Sequence, residues 1–249
     1  MNEHDIDRRT FGAGVAVAAA ALLRAHDAGA QTHPATPAPA PGTPALPDRA
    51  VAPLPFAPGA LQGLSERLLR SHHDNNYASA VRKLNEVRHA LAAADPDQAG
   101  PYWSQYGSLK GAELAARNSA VLHELYFANL APPSSADAGV SLGRATARLV
   151  GDRFGSMERF EAQLRGAAKA ASGWVVLAAD ASTHTLEVVQ TDGHAFGAWD
   201  AVPLLVLDVY EHAYALDFGA DKNAYFTAFW RNVHWSEVDR RCTQAVARL

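Results

Sequence analysis

Pro203-Leu204-Leu205-Val206-Leu207-Asp208-Val209-Tyr210-Glu211-His212-Ala213-Tyr214 is the stretch on which the reading of this chain turns. The apolar run Pro203 to Leu207 has the length and branching of a buried strand, and it closes on a carboxylate. A carboxylate at that place must be paired, serve as a cap or bind a metal, because burying it bare is costly. His212 lies four residues further on, in the turn after the strand. The pair by itself leaves the cap and the ligand readings open.

Working back along the chain, Leu64, Leu68, Leu69, His72, Asn76, Ala80, Leu84 and Val87 recur at spacings of three and four, which predicts one long amphipathic helix. Pro96, Gly100 and Pro101 end it. A second helix is predicted from Leu109 to Leu130, with His123 on its inward face and Pro132-Pro133 as its stop. Two such helices should form an antiparallel hairpin. His72 and His123 then share its interior, each readable alone as a core histidine or as a ligand. Beyond Asp152 the pattern becomes a short helix, Met157 to Ala171, and strands Trp174 to Leu177, Leu186 to Thr191 and Leu204 to Val209. Two further helices, Asp221 to Trp235 and Ser236 to Leu249, follow. The expected class is α+β: a helical hairpin domain over 53–137, then an α/β domain over 138–249 with a small three-stranded antiparallel sheet.

The first fifty residues have a different composition. Arg8-Arg9-Thr10-Phe11 precedes the apolar stretch Gly12 to Leu23 and the small-residue site Ala28-Gly29-Ala30, so residues 1–30 read as a twin-arginine signal peptide. That implies a periplasmic or secreted protein, with no membrane attachment once the leader is removed. Residues 31–52 form a Pro/Ala-rich tether without apolar periodicity. The formal net charge is -4, with 48% hydrophobic and 19% charged residues, which gives no basic field for nucleic acid or an anionic membrane. Cys242 is the single cysteine, so neither an intrachain disulfide nor a thiolate cluster is available.

Dispersed motifs now point to a family. Leu54-Pro55-Phe56, His72-His73 with Asn85, Asn118 to Phe127, Phe154-Gly155-Ser156 with Phe160, Ser172-Gly173-Trp174, the Asp208 to His212 segment, and Tyr225, Phe229-Trp230, Asn232-Val233 and Trp235 together resemble the iron/manganese superoxide dismutases. The resemblance runs from about Pro53 to Val238. It implies that His72, His123, Asp208 and His212 hold one iron or manganese ion per subunit, three neutral nitrogen donors and one anion leaving the ion able to hold water or hydroxide. Trp174 and Tyr210 become walls of an apolar pocket, Tyr210 standing where the family usually has tryptophan. His194 takes the place of the side chain, usually glutamine, that hydrogen-bonds solvent at the metal from the sheet; Ser119 occupies the alternative position on the second helix. Glu211 is expected to reach the partner subunit's ligand histidine, which implies a homodimer.

Three departures stand against this. Ala80 occupies the family's gateway tyrosine position, Asn76 that of a histidine four residues after the first ligand, and Ala215 that of the tyrosine pairing with it from the other subunit. Tyr77, one helical turn before Ala80, reads either as a packing residue or as a replacement hydroxyl. The expected activity is disproportionation of superoxide to dioxygen and hydrogen peroxide. The alternatives are a secreted metal-binding module of the same build with little turnover and, third, a hydrolytic zinc enzyme, which four protein ligands leave short of room.

Overall fold

A computed structural model describes residues 44, 46–133 and 142–247. Residues 1–30, expected to be a twin-arginine leader, and most of the Pro/Ala-rich stretch 31–52 lie outside the described residues. The described residues form one compact unit.

The predicted first helix is present but is not α-helical throughout. Glu66–Ser71 (α1) leads into a π-helical turn, His72–Tyr77, and the α-helix resumes as α2, Ala78–Ala93. Ser65 caps α1, its Oγ accepting from the Leu68 amide at 3.0 Å. The π turn has a geometric consequence. In an α-helix, residues five apart lie about 140° apart around the axis, whereas i→i+5 hydrogen bonding brings them onto one face. His72 and Tyr77 are five apart, and both are buried.

Gln105–Ala128 (α3) runs beside α2 as the second arm of the hairpin. It begins four residues before the predicted Leu109 because Ser104 is an N-cap, its Oγ accepting from the Gly107 amide at 3.1 Å. A helix not predicted, Arg144–Phe154 (α4), precedes α5, Met157–Ala170. It ends at Gly155, whose φ of +83° suits glycine.

Three antiparallel strands follow in the order β2-β1-β3: Trp174–Asp180 (β1), Leu186–Thr191 (β2) and Ala201–Asp208 (β3). β1 and β3 each extend three residues past prediction, β1 at its end through Ala178, Ala179 and Asp180, β3 at its start. Ladder pairing overrides the weak strand propensity of the alanines. Pro203 is tolerated because β3 is an edge strand. The chain closes with Ala215–Phe218 (α6), Lys222–Arg231 (α7) and Trp235–Val246 (α8). The break between α7 and α8 falls at Asn232 rather than Trp235, because Asn232 is fully buried and its side chain exchanges hydrogen bonds with the Gln62 backbone.

One core serves all of these elements. Leu68, Leu84, Phe160, Leu164, Val175, Leu205, Leu207, Tyr225 and Phe229 belong to a single buried cluster spanning helices and sheet. Asn129, at the end of α3, ties the hairpin to the sheet by donating to the Leu204 carbonyl at 3.1 Å and accepting from the Val206 amide at 3.0 Å. Among the described residues, no helix is long and apolar enough to cross a membrane.

Candidate metal centre

The sheet register sets the position of the carboxylate. Trp174, first in β1, pairs with Asp208, last in β3. The Asp208 carbonyl accepts from the Tyr225 hydroxyl at 2.8 Å, and its Oδ1 accepts from the Tyr210 amide at 2.9 Å. The carboxylate is thereby fixed, and Oδ2 is the atom left facing the hairpin.

Three imidazoles meet that oxygen. His72 Nε2 lies 3.0 Å from Asp208 Oδ2, His212 Nε2 3.3 Å and His123 Nε2 3.5 Å. The four donor atoms all lie within 4.8 Å of one another. His72, His123 and Asp208 are buried, and the His212 side chain is 27% exposed. Hairpin, strand end and turn therefore converge on one point.

Hydrogen bonding alone does not explain the cluster. His123 donates its Nδ1 proton to the Ser119 carbonyl at 2.7 Å, which leaves Nε2 a bare lone pair. That Nε2 is buried and has no hydrogen-bond partner. It faces an ionised carboxylate oxygen, so two electron-rich atoms confront one another in a dry interior, an unfavourable arrangement that a cation between them reverses. Two donors each about 2.1 Å from a common ion and 90 to 120° apart stand roughly 3.0 to 3.6 Å from each other. The three measured separations fall within that span. An all-nitrogen-and-oxygen donor set without thiolate suits iron or manganese.

The charge states agree. Burial alone raises the Asp208 carboxyl, but the hydrogen bonds to His212 and His72 and the imidazoles around it outweigh burial and hold it well below the ordinary range. Burial pushes His123 down to about 3 against the Asp208 attraction, and it also lowers His72. Asp208 thus carries the negative charge of the site, and His72 and His123 are neutral. A pH dependence follows for the metal-free protein. The unfolded chain protonates His123 near its ordinary 6.5, while the folded chain resists until about 3. Stability is therefore lost as pH falls through that window, on the order of 2 kcal/mol between pH 7 and pH 5 from this group. A urea midpoint for metal-free protein that is unchanged between those pH values would contradict the assignment.

Around the cluster stands an aromatic cage. Trp174 is fully buried, its ring edge-on to His123 at 5.0 Å. Tyr210 stacks on His212 at 5.5 Å. His194 is half-buried at 4.8 Å from Tyr210, and its Nδ1 accepts from the Trp174 indole at 3.0 Å. An indole N–H only donates, so neutral His194 must carry its proton on Nε2. Asn118 holds the loop by donating to the His194 carbonyl at 2.7 Å. Ser119 lies behind His123 as the acceptor of its Nδ1 proton.

The gateway region differs from the cage. Ala80 contributes a partly buried methyl group, and Ala215 is exposed. The Tyr77 hydroxyl donates to Glu124 Oε1 at 2.8 Å and accepts from the Ala52 amide at 2.8 Å, with no hydrogen bond to the four clustered residues. Glu211 is exposed on the same turn as His212. Two contributors have roles that the sequence does not show: Tyr225, which fixes the Asp208 backbone, and Glu124, which takes up Tyr77. Their partners lie 17 and 47 residues away, so the local pattern shows neither role.

Comparison with known proteins decides the family. The chain is 40% identical over 197 residues to the iron superoxide dismutase of Cupriavidus metallidurans, covering 78% of this chain and 96% of that protein. The chain belongs to the iron/manganese superoxide dismutase family. Manganese superoxide dismutase 1 of Halobacterium salinarum is 35% identical over 199 residues, covering 79% of this chain and 96% of that enzyme. The iron superoxide dismutase of Aquifex aeolicus is 32% identical over 193 residues, covering 76% and 89%. Residues 143–241 match the profile of the family described as iron/manganese superoxide dismutases, C-terminal domain. Relatives named for iron and for manganese both occur.

Proposed function

We propose that this chain is a superoxide dismutase that converts superoxide to dioxygen and hydrogen peroxide at a mononuclear iron or manganese site formed by His72, His123, Asp208 and His212. The observation that carries the reading is the unpartnered His123 lone pair facing Asp208 Oδ2, with two further imidazole nitrogens at the same oxygen. An iron or manganese ion held by His72, His123, Asp208 and His212 would supply the one-electron couple this reaction needs. The protein does the rest. Asp208 contributes the single anionic donor, and the Ser119 carbonyl fixes the His123 tautomer so that Nε2 faces inward. Trp174 and Tyr210 keep the pocket small and dry. His194 keeps an N–H on Nε2, a hydrogen-bond donor suited to orienting solvent at the site.

Export through the twin-arginine leader and assembly as a homodimer complete the proposal. Support for the second is the placement of exposed Glu211 beside His212, where a second copy can meet both. The binding-module alternative draws on one observation, the commitment of the Tyr77 hydroxyl to Glu124 and Ala52 while Ala80 leaves the gateway position without a hydroxyl. Elemental analysis paired with a superoxide decay assay separates the readings. Protein loaded with iron or with manganese is expected to accelerate decay well above background, and metal-free protein is not. A full complement of metal with decay at the uncatalysed rate would favour the binding module.

A further inference from the structure

We propose that Arg49, Glu124 and Tyr77 form a clasp of positioning residues that holds His72 and His123 in register and sets how tenaciously the ion is retained; the proposal rests on the reading of those histidines as ligands. The main chain of Arg49 grips α2 through Asn85, whose Oδ1 accepts from the Arg49 amide at 2.9 Å and whose Nδ2 donates to the Arg49 carbonyl at 2.9 Å. Its guanidinium crosses to α3 and binds Glu124 at both carboxylate oxygens, Nε to Oε1 at 2.7 Å and Nη2 to Oε2. Glu124 Oε1 also accepts from Tyr77, whose oxygen accepts from the Ala52 amide. His73 Nε2 completes the circuit by donating to the Ala52 carbonyl at 2.8 Å.

The positions of these contacts give the clasp its meaning. His73 directly follows His72, and Glu124 directly follows His123, so residues 49–52 seize the hairpin next to both histidines. Tyr77 closes the π turn that His72 opens, and its ring lies 6.2 Å from His123 and 6.1 Å from Phe127, which is itself 5.0 Å from His72. The Tyr77 ring is almost wholly buried, and both its donor and its acceptor capacity are used. A bidentate arginine–carboxylate pair with side chains 31% and 24% exposed is stiffer than a solvent-exposed ion pair. A π turn lacks the regular α-ladder, and these tertiary bonds hold it in place.

The test uses full-length, metal-loaded protein and the variants Tyr77→Phe, Arg49→Met and the two combined. The readouts are the rate at which bound iron or manganese passes to excess EDTA at neutral pH, the visible absorption band of the loaded site, and Tm. Each single variant is expected to lose metal about tenfold faster with a shifted band. The double variant is expected to be little worse than the poorer single, because the residues act as one network. Arg165→Met serves as the control: it removes a pair with Glu161 and a contact over the Phe226 ring at 4.2 Å, and should lower Tm without speeding metal loss. Variants that retain metal as well as wild type does would overturn the clasp alone. An equal acceleration in Arg165→Met at a matched drop in Tm would do the same. Wild-type protein unable to hold either metal would overturn the clasp and the dismutase reading together.

Discussion

Replacing Asp208 with Ala is expected to empty the metal centre and return superoxide decay to the uncatalysed rate. Asp208 is fully buried and is the one anion among three imidazoles. Without it the remaining donors are neutral, and nothing offsets the desolvation of an entering cation. Changing a group that merely orients a ligand costs roughly 10- to 100-fold in metal affinity or activity, and loss of the charged ligand itself costs more. The fold is expected to persist, since β3 keeps its ladder and Tyr225 bonds the residue-208 carbonyl rather than the side chain. Elemental analysis, circular dichroism and the decay assay check this together. A variant that stays folded, metal-loaded and fast would refute the ligand assignment.

The second large effect is on stability. Trp174→Ala removes a fully buried side chain from the central strand and leaves a cavity beside His123. Such truncations cost about 3 to 5 kcal/mol, which for a chain of this size lowers Tm by roughly 6 to 20 °C. The same change releases His194 Nδ1 from the indole, so the tautomer that keeps a proton on Nε2 is no longer imposed. Activity per bound metal should therefore fall as well. Trp174→Phe separates the two losses: it refills most of the volume but supplies no N–H donor. If the phenylalanine variant recovers Tm and full activity alike, His194 has no dependence on the indole.

Much of this arrangement is written locally. Asp208 and His212 were legible because an apolar strand run leads straight into them, and the hairpin helices because their inward residues repeat at helical spacing. Other features depend on partners far along the chain. The π turn has no local signature, as His72 to Tyr77 is an unremarkable polar run until burial of Tyr77 against the second arm selects i→i+5 bonding. The helix Arg144–Phe154 has a thin inward stripe and so a weak sequence signal: only Thr146, Val150 and Phe154 are buried, among three arginines and a glycine. The alanines at the end of β1 become strand because neighbours on both sides supply ladder partners. Arg49, Glu124 and Tyr77 are separated by 75 and 47 residues, so only the folded hairpin brings them together.

His72 and Asp208 stand 136 residues apart in the sequence, yet their side chains meet. An ion gripped by both ends of that span is a removable rivet, closing a loop that covers more than half the polypeptide in a molecule whose lone thiol rules out a covalent one. Occupancy at a free-metal level a hundredfold above Kd adds about 2.7 kcal/mol to the folded state. Heat tolerance of this protein is accordingly a gauge of its metal supply, and a cell short of the metal forfeits durability along with turnover.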